Sequence, residues 1–140
     1  MADYKKSIPR IKELTKEFWG GTKKRELRIQ RCKDCGTYCF PPQLMCPKCN
    51  SLNLEWSKVS GDGKVYSFII PNRQAPADMP ARGFEYPYAV ILVELPDAGG
   101  VRIASNIVDC EIGDIKIDMP VKVVFEDITD EITLPKFRSA

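Results

Sequence analysis

The sequence predicts a mainly β protein that begins with a helical segment, continues through a metal-binding ribbon and ends in a small five-stranded barrel. Three patterns support this prediction: apolar residues three or four apart near the N-terminus, four cysteines in two pairs, and apolar–polar alternation after residue 50. A chain of this length buries about 70% of its unfolded surface, enough for one core. The predicted boundaries are 1–26 for the helical segment, 27–54 for the ribbon, and 55–140 for the barrel with its C-terminal tail.

The N-terminal helix is predicted from an apolar stripe that opens near Ser7 and Pro9 and stops at Gly20 and Gly21. A helix this short does not hold itself together in water, so the stripe must pack against something. Two alternatives stay open: the stripe packs against its own domain, or it packs against another protein. The stripe consists of Tyr4, Ile8, Ile11, Leu14 and Phe18.

Two Cys-x-x-Cys pairs, Cys32 with Cys35 and Cys46 with Cys49, predict a rubredoxin-like zinc ribbon. Zinc prefers four thiolates in a tetrahedron, and two intervening residues let one tight turn aim both sulfurs at a single ion. Gly36 follows the first pair, where the turn needs a positive φ. Four sulfur ligands leave no position for water or substrate, so the predicted zinc is structural.

Two other fates of these cysteines stay open: rubredoxin-like iron, which uses the same ligands, and a pair of disulfides in a secreted protein. The first twenty residues mix charged and apolar residues, unlike a signal peptide, and no stretch has transmembrane length. These observations favour a cytoplasmic protein with no membrane partner, where thiols bind metal instead of pairing.

After the ribbon, the apolar period changes to two, which is typical of strands. Five strands separated by glycine and proline turns, with no helix between them, predict a small barrel of the OB type. The third strand is almost continuously apolar and is expected to be central and buried on both faces. The connection over 72–85 exceeds a normal hairpin loop, a length typical of functional or disordered loops. The predicted strands cover residues 52–56, 64–71, 86–95, 101–108 and 121–125.

Charge is distributed unevenly along the chain. Residues 1–31 carry ten Lys or Arg and four Asp or Glu, whereas residues 59–140 carry eight and thirteen. A nucleic-acid site needs a basic groove with interleaved aromatic residues, and the strand over 86–95 has no basic residue. A nucleic-acid-binding module is therefore the alternative function, and the weaker one.

The order of these motifs resembles the zinc-ribbon plus OB-fold proteins associated with acyl-CoA metabolism, over nearly the whole chain. The matching segments are Phe18-Trp19, Gln30 to Gly36, Phe40-Pro41-Pro42, Cys46 to Cys49, Glu55-Trp56, Ser60 to Phe68, Pro87 to Val90, Asn106 to Cys110 and Met119 to Val121. The resemblance implies a non-catalytic accessory subunit of a thiolase-fold enzyme that makes or breaks a carbon–carbon bond beside a thioester. It is also similar to the small zinc-finger subunit of a benzoylsuccinyl-CoA thiolase-like complex in anaerobic aromatic degradation.

Catalysis by this chain alone is not expected, because a thiolase-type reaction uses a cysteine nucleophile with a histidine base and this chain has no histidine. Cys39 and Cys110 lie outside the metal pairs and are predicted to be packed apolar residues. The expected contributions are bridging partner subunits within the acyltransferase complex and closing one wall of the CoA or acyl channel.

Candidate contacts to CoA or the partner follow from charge and position, since phosphates favour Lys and Arg. For each candidate, a solvated cation or a barrel aromatic is the alternative interpretation. Phe137 is expected to be exposed between two cations, so that replacing it would weaken partner binding and leave folding intact. The candidates are Lys23, Lys24, Arg25, Arg73 and Arg82 for phosphates, Phe84 and Tyr86 for the acyl or pantetheine path, and Phe137 with Arg138 for the partner.

Overall fold

The computed structural model describes residue 4 and residues 6–73 and 87–140, and confirms a mainly β fold with one N-terminal helix. Short 3-10 turns at Pro96–Ala98 and Ile112–Asp114 join some of the strands. Within these described residues, no helix is long and apolar enough to cross a membrane. The elements are α1 (Lys16–Lys23), β1 (Leu27–Cys32), β2 (Tyr38–Cys39), β3 (Leu54–Val59), β4 (Asp62–Ile69), β5 (Val90–Leu95), β6 (Val101–Ser105), β7 (Ile107–Val108), β8 (Pro120–Asp127) and β9 (Thr133–Ser139).

The ribbon is a three-stranded antiparallel sheet in the order β2-β1-β3. Strand β1 is central, and its residues Leu27, Ile29 and Cys32 are buried. Strand β3 pairs with β1 from Leu27 opposite Val59 to Cys32 opposite Leu54. The alternation near residues 52–56 was predicted to be the first barrel strand, and this was wrong, because its backbone pairs within the ribbon.

The second sheet has the strand order β6-β5-β4-β8-β9-β7. Its two ends, β6 and β7, are consecutive along the chain and are separated by Asn106 alone. Strand β7 pairs parallel with β9, so the sheet returns to its own starting strand and closes. Counted as one interrupted strand, β6 and β7 make this a five-stranded OB-like barrel, which confirms the predicted class with a different strand assignment.

Hydrogen bonds around Asn106 fix the closure. The Asn106 side-chain amide donates to the Ala89 carbonyl at 2.8 Å, and the Asn106 carbonyl accepts from the Phe137 N–H at 3.1 Å. Beside it, the Ser105 hydroxyl donates to the Pro135 carbonyl at 2.7 Å. This bond joins β6 to β9 beside the point where the β7–β9 pair begins.

The helix differs from its prediction at both ends. It begins at Lys16, although the stripe indicated a start near Ser7, because Ile8 and Ile11 remain about half exposed and supply too little packing energy to a short helix. It also continues through Gly20 and Gly21. A Cβ on Gly21 would lie 2.8 Å from Cδ of Arg28, so this glycine allows the close approach of the Arg28 side chain.

The N-terminal stripe packs partly on its own domain. Phe18 is 6% exposed and belongs to the same apolar core as the barrel residues. Residues 8–11 lie beside residues 129–132, where the two segments line one open cleft. The self-packing alternative therefore accounts for Phe18, while Ile8 and Ile11 stay accessible.

The fifth barrel strand, β9, was not predicted. Residues 133–139 were expected to be a tail with an exposed Phe137, and that expectation is wrong because Phe137 is 0% exposed. Its strand lies between β8 and β7, with Phe137 opposite Val123 and Ile107. The strand was missed in the sequence because proline is normally absent from internal strands, and because the flanking cations indicated an exposed segment.

Strand β5 is also shorter than predicted. It begins at Val90, and its burial alternates between buried and half-buried residues, so one face packs in the core and the other is partly covered. It lies between β4 and β6 in the closed sheet, so it has a neighbour on each side as predicted, but it is not buried on both faces.

Replacing Phe137 with Ala is expected to destabilise the fold. Truncation of a fully buried Phe removes its packing and leaves a cavity, at a cost of about 3–5 kcal/mol. Urea unfolding followed by circular dichroism measures the loss. Tyr66→Ala, on the exposed face of β4, is the matched control and should cost far less. Equal stability of the Phe137→Ala variant and the parent chain would contradict the placement of β9.

Candidate metal centre and the helix–barrel junction

The four cysteine sulfurs form one compact cluster. Sγ of Cys32 lies 3.6 Å from Sγ of Cys49, and the Cys35 and Cys46 sulfurs are also 3.6 Å apart. All four lie within 4.8 Å of one another. A Zn–S bond of about 2.3 Å requires sulfurs about 3.8 Å apart in a tetrahedron, so the cluster fits zinc. No bond joins any of the six cysteines to another, which argues against the disulfide alternative.

Both knuckles are built by the same backbone turn. In the first, the Gly36 N–H donates to the Cys32 carbonyl at 2.9 Å, and in the second the Asn50 N–H donates to the Cys46 carbonyl at 3.0 Å. The residue four positions after each leading cysteine has positive φ, +77° at Gly36 and +63° at Asn50. The predicted role of Gly36 is confirmed. Asn50 performs the same role in the second knuckle, and asparagine tolerates this conformation better than most residues.

A polar brace joins the two knuckles. The Ser51 hydroxyl donates to Asp34 Oδ2 at 2.5 Å and accepts from the Asn53 N–H at 3.0 Å. The Lys33 N–H also donates to the Asn53 carbonyl at 2.9 Å. Sequence reasoning missed Asp34 and Ser51 as parts of the site. The sequence feature that could have indicated them is an aspartate inside the first Cys-x-x-Cys pair together with a serine two residues after the second pair.

The surroundings of the cluster favour the thiolate form of single cysteines, but they do not favour four thiolates at once without a cation. The Thr37 hydroxyl, 3.1 Å from Sγ of Cys35, and the Thr37 backbone lower the pKa of Cys35 to about 6. The Ser51 backbone favours the Cys49 thiolate, but desolvation and the neighbouring sulfurs raise the pKa of Cys49 to about 12. Crowded thiols resist joint ionisation unless a cation compensates them, which is the role that zinc would have here.

The two remaining cysteines are packed as predicted. Cys39 is 4% exposed, and burial together with the nearby Cys46 raises the pKa of its thiol. Cys110 is half-buried against the core, and desolvation followed by Asp114 raises the pKa of its thiol. A raised pKa leaves less thiolate at neutral pH, so neither residue is set up as a nucleophile.

The basic cluster after the helix is engaged with the barrel. Arg25, at φ +62°, makes a bidentate pair with Asp127 at 2.7 and 2.8 Å, and Asp127 also accepts from the Thr133 hydroxyl at 2.6 Å. Lys23 donates to the Asp130 carbonyl. These contacts join the end of α1 to the β8–β9 turn, and we call them the Arg25–Asp127 latch. Any phosphate bound by Lys23 or Arg25 would compete with these partners.

The other predicted contact residues are dispersed. Lys24 and Arg73 are exposed, and Arg138 is exposed with its guanidinium donating to the Ser139 carbonyl at 3.2 Å. Phe137 fills the barrel core and offers no side chain to a partner. Three of the candidates, Arg82, Phe84 and Tyr86, lie outside the described residues. The described candidates do not form one site, and their roles stay predictions.

Sequence reasoning also missed a cavity where the helix, the ribbon and the barrel meet. Aromatic residues of α1 and of the loop after β2 cover it, and the facing parts of β6 and β9 form its floor. Phe18 packs edge-on against Trp19, with ring centroids 4.9 Å apart, and lies 5.7 Å from Phe40. Phe18-Trp19 and Phe40 were noticed as motif residues, but their proximity depends on tertiary contacts.

Fold and site together define a zinc-ribbon plus OB-fold protein. The family described as the ChsH2 rubredoxin-like zinc ribbon domain matches residues 19–55, and the ChsH2 C-terminal OB-fold domain matches residues 56–126. The chain therefore belongs to the ChsH2-type DUF35 family, which confirms the resemblance seen in the sequence.

Relatives within this family are similar over most of the chain. A DUF35 domain-containing scaffold protein of Methanocaldococcus jannaschii is 39% identical over 115 residues, covering 81% of this chain and 77% of that protein. A probable enoyl-CoA hydratase alpha subunit of Thermomonospora curvata is 40% identical over 124 residues. The match covers 88% of this chain and only 37% of the hydratase subunit.

One solved structure, described as an Ltp2-ChsH2(DUF35) aldolase, is similar over nearly the full chain. It superimposes with a TM-score of 0.81 at 36% identity, and covers 94% of this chain and 98% of that one. A Sulfolobus solfataricus DUF35 protein of unknown function shares the fold, with a TM-score of 0.63 at 16% identity.

Replacing Cys46 with Ser is expected to abolish metal binding and unfold the ribbon, because zinc-site binding energy of about 10–16 kcal/mol is also folding energy. Elemental analysis of the purified chain should find one zinc per parent chain and none in the variant. Cys110→Ser, outside the cluster, should keep its zinc. Iron in place of zinc in the parent would establish the rubredoxin-like alternative.

Lowering the pH is expected to weaken the Arg25–Asp127 latch. The hydrogen bonds from Arg25 and from Thr133 hold the pKa of Asp127 well below its usual range, so its contribution is present above about pH 4 and is lost as the pH falls below that value. The stability difference between the parent and Asp127→Asn should therefore shrink between pH 6 and pH 3 in urea unfolding. Asp130→Asn is the control, since Asp130 contacts Lys23 through its carbonyl. A difference that is constant with pH would contradict the latch.

Proposed function

We propose that this chain is a non-catalytic accessory subunit of an acyl-CoA enzyme with a thiolase fold, which makes or breaks a carbon–carbon bond beside a thioester. The observation that carries the proposal is the similarity over 94% of this chain and 98% of the DUF35 chain in the Ltp2-ChsH2 aldolase. Both hydratase and aldolase relatives are named as parts of assemblies, which supports a partner-dependent role for this chain.

The chemistry of the described residues supports an accessory role. The four sulfurs of the cysteine cluster would fill all four positions of a tetrahedral zinc, which would leave none for a substrate. Cys39 and Cys110 have raised pKa values, and the chain has no histidine to act as a base. The nucleophile and the base would therefore come from the partner subunit.

The molecular role that follows is bridging and enclosure. The ribbon and the helix are both joined to one side of the barrel, through Phe18 and the Arg25–Asp127 latch. A unit held together in this way can close one wall of a CoA or acyl channel on the partner and exclude water from the thioester. A cytoplasmic location suits its six unpaired cysteines. Aromatic acyl-CoA compounds, as in anaerobic aromatic degradation, are the substrates to test first.

The nucleic-acid alternative has less support among the described strands. On the outer face of β4, the Arg102 guanidinium stacks on Tyr66, with its central carbon 3.7 Å from the ring centroid. The exposed ring is thus already covered on one face by a cation of its own barrel. Lys64 lies near Asp118, at 3.6 Å, so its charge is partly offset as well. Base stacking and phosphate binding would both have to displace internal contacts.

Affinity capture from the native host with the tagged chain, followed by mass spectrometry, tests the proposal. We expect a thiolase-fold protein in stoichiometric amount with the parent chain. The capture should fail with the Cys46→Ser variant, which loses the ribbon, and succeed with Cys110→Ser. Recovery of nucleic acid or ribosomal material, with no acyl-CoA enzyme, would contradict the proposed function.

A further inference from the structure

The N-terminal apolar stripe has a sequence that favours a longer helix than the one it forms. Ser7 and Pro9 are residue types that begin helices, and the apolar residues at 8, 11, 14 and 18 are three or four apart. In the structure, residues 7–12 belong to neither a helix nor a strand, and α1 begins only at Lys16. About nine residues with helical spacing are therefore not helical in the isolated chain.

The chain just before α1 already makes one helix-like turn. The Thr15 N–H donates to the Lys12 carbonyl at 3.0 Å, and the Trp19 N–H donates to the Thr15 carbonyl at 3.1 Å. The Glu13 and Lys16 side chains are paired at 2.7 Å across the same turn. Extending α1 towards the N-terminus therefore needs no new nucleus, which is the unfavourable step in helix formation. The added turns would still need packing for their apolar side chains.

The barrel leaves the outer half of the stripe uncovered. Ile8 is 47% exposed and Ile11 is 46% exposed, whereas Phe18, at the inner end of the stripe, is 6% exposed. Residues 8–11 and residues 129–132 face each other across an open cleft of about 630 Å³. The outer half of the stripe is thus available to another protein, which is the second of the two alternatives that the sequence left open.

The charges beside the stripe indicate what kind of surface it fits. On a continuous helix, Lys12 and Lys16 are four residues apart and lie in one row beside the stripe. Residues 5–16 carry five Lys or Arg and one Asp or Glu. The complementary surface is an apolar groove with acidic residues along its rim, as in the recognition of an amphipathic helix by a groove.

A membrane surface is the other occupant that a basic amphipathic segment attracts. Binding to a membrane increases with the apolar area that the helix buries. The core already buries Phe18, which leaves Ile8 and Ile11 as the exposed apolar residues among the described part of the stripe. Two isoleucines offer little area for insertion into lipid. The hydratase and aldolase relatives are named as parts of assemblies, and this favours a protein as the occupant.

We propose that residues 7–15 fold onto the N-terminus of α1 when this chain docks on its enzyme subunit, and that the extended helix inserts Ile8 and Ile11 into an apolar groove with an acidic rim. The inference rests on the proposed function, since it takes the partner from it. It goes beyond that function by assigning the docking element and by making its helix conditional on the partner. At 1.5 Å per residue, the added residues lengthen α1 by about 14 Å.

Hydrogen exchange followed by mass spectrometry tests the conformational change. The probe is the enzyme subunit recovered by affinity capture, mixed with the zinc-loaded chain. We expect the amides of residues 11–14 to exchange about tenfold or more slowly in the complex than in the free chain, because these N–H groups become hydrogen-bonded in the extended helix. Equal exchange of these amides in the free and bound chains would overturn the proposal.

A pair of substitutions at one position separates helix formation from simple contact. Glu13→Pro removes a backbone N–H inside the extended helix and clashes with the carbonyl four residues earlier, while Ile8 and Ile11 remain. Its affinity for the captured subunit should fall about tenfold or more, whereas Glu13→Ala, which favours a helix, should stay within about twofold of the parent. Equal affinities of the two variants would overturn the proposal.

A second pair of variants tests the apolar contact. Ile11→Ser should weaken binding of the captured subunit about tenfold, whereas Ile117→Ser, at an isoleucine that is 56% exposed outside the segment, should stay within about twofold. Unchanged binding by Ile11→Ser would overturn the proposal. Binding of the parent chain to phosphatidylserine vesicles, lost in Ile11→Ser while capture of the enzyme is unchanged, would assign the segment to a membrane and also overturn it.

These outcomes are distinct from a failure of the proposed function. If the parent chain captures its enzyme subunit and the variants bind equally well, the accessory role stands and the docking helix is wrong. If the parent chain captures no acyl-CoA enzyme, the proposed function is contradicted and this inference falls with it.

Discussion

The crowding of four cysteine sulfurs around one point is the constraint on which the rest of this structure depends. Sulfurs 3.6 Å apart cannot all be thiolates without a cation between them. Once they are compensated, the two matching turns at Gly36 and Asn50 are held together, and β1 can serve as the centre of the ribbon sheet. The loop after β2 then places Phe40 against the helix and the barrel.

The ribbon and the barrel pack against each other through shared apolar residues. Phe18 and Phe40 meet at the interrupted strand, and the Arg25–Asp127 latch ties the end of the helix to the β8–β9 turn. Helix, ribbon and barrel therefore share one apolar core, which includes Leu27 and Ile29 of the ribbon and Val65 and Phe137 of the barrel. Packing of this kind suits the proposed role of a subunit that shapes the surroundings of a reaction carried out on a partner.

The parts of this fold that depend on local sequence could be predicted, and those that depend on distant contacts could not. The Cys-x-x-Cys spacing and Gly36 specify the metal site because each turn is only a few residues long. Strand β9 was missed because Pro135 interrupts its pattern and its pairing depends on β8 and β7. The helix start was misplaced because only packing determines which part of the stripe is helical, and Ile8 and Ile11 receive too little. The basic cluster could not be matched with Asp127, about a hundred residues away, from charge alone.

Turnover of acyl-CoA by the separated and recombined subunits would decide whether this chain is an accessory subunit. We expect no carbon–carbon bond cleavage or formation by this chain alone, and we expect the activity of the captured enzyme subunit to rise when the zinc-loaded chain is added back. Turnover by the purified single chain, or full activity of the enzyme subunit without it, would contradict the accessory role.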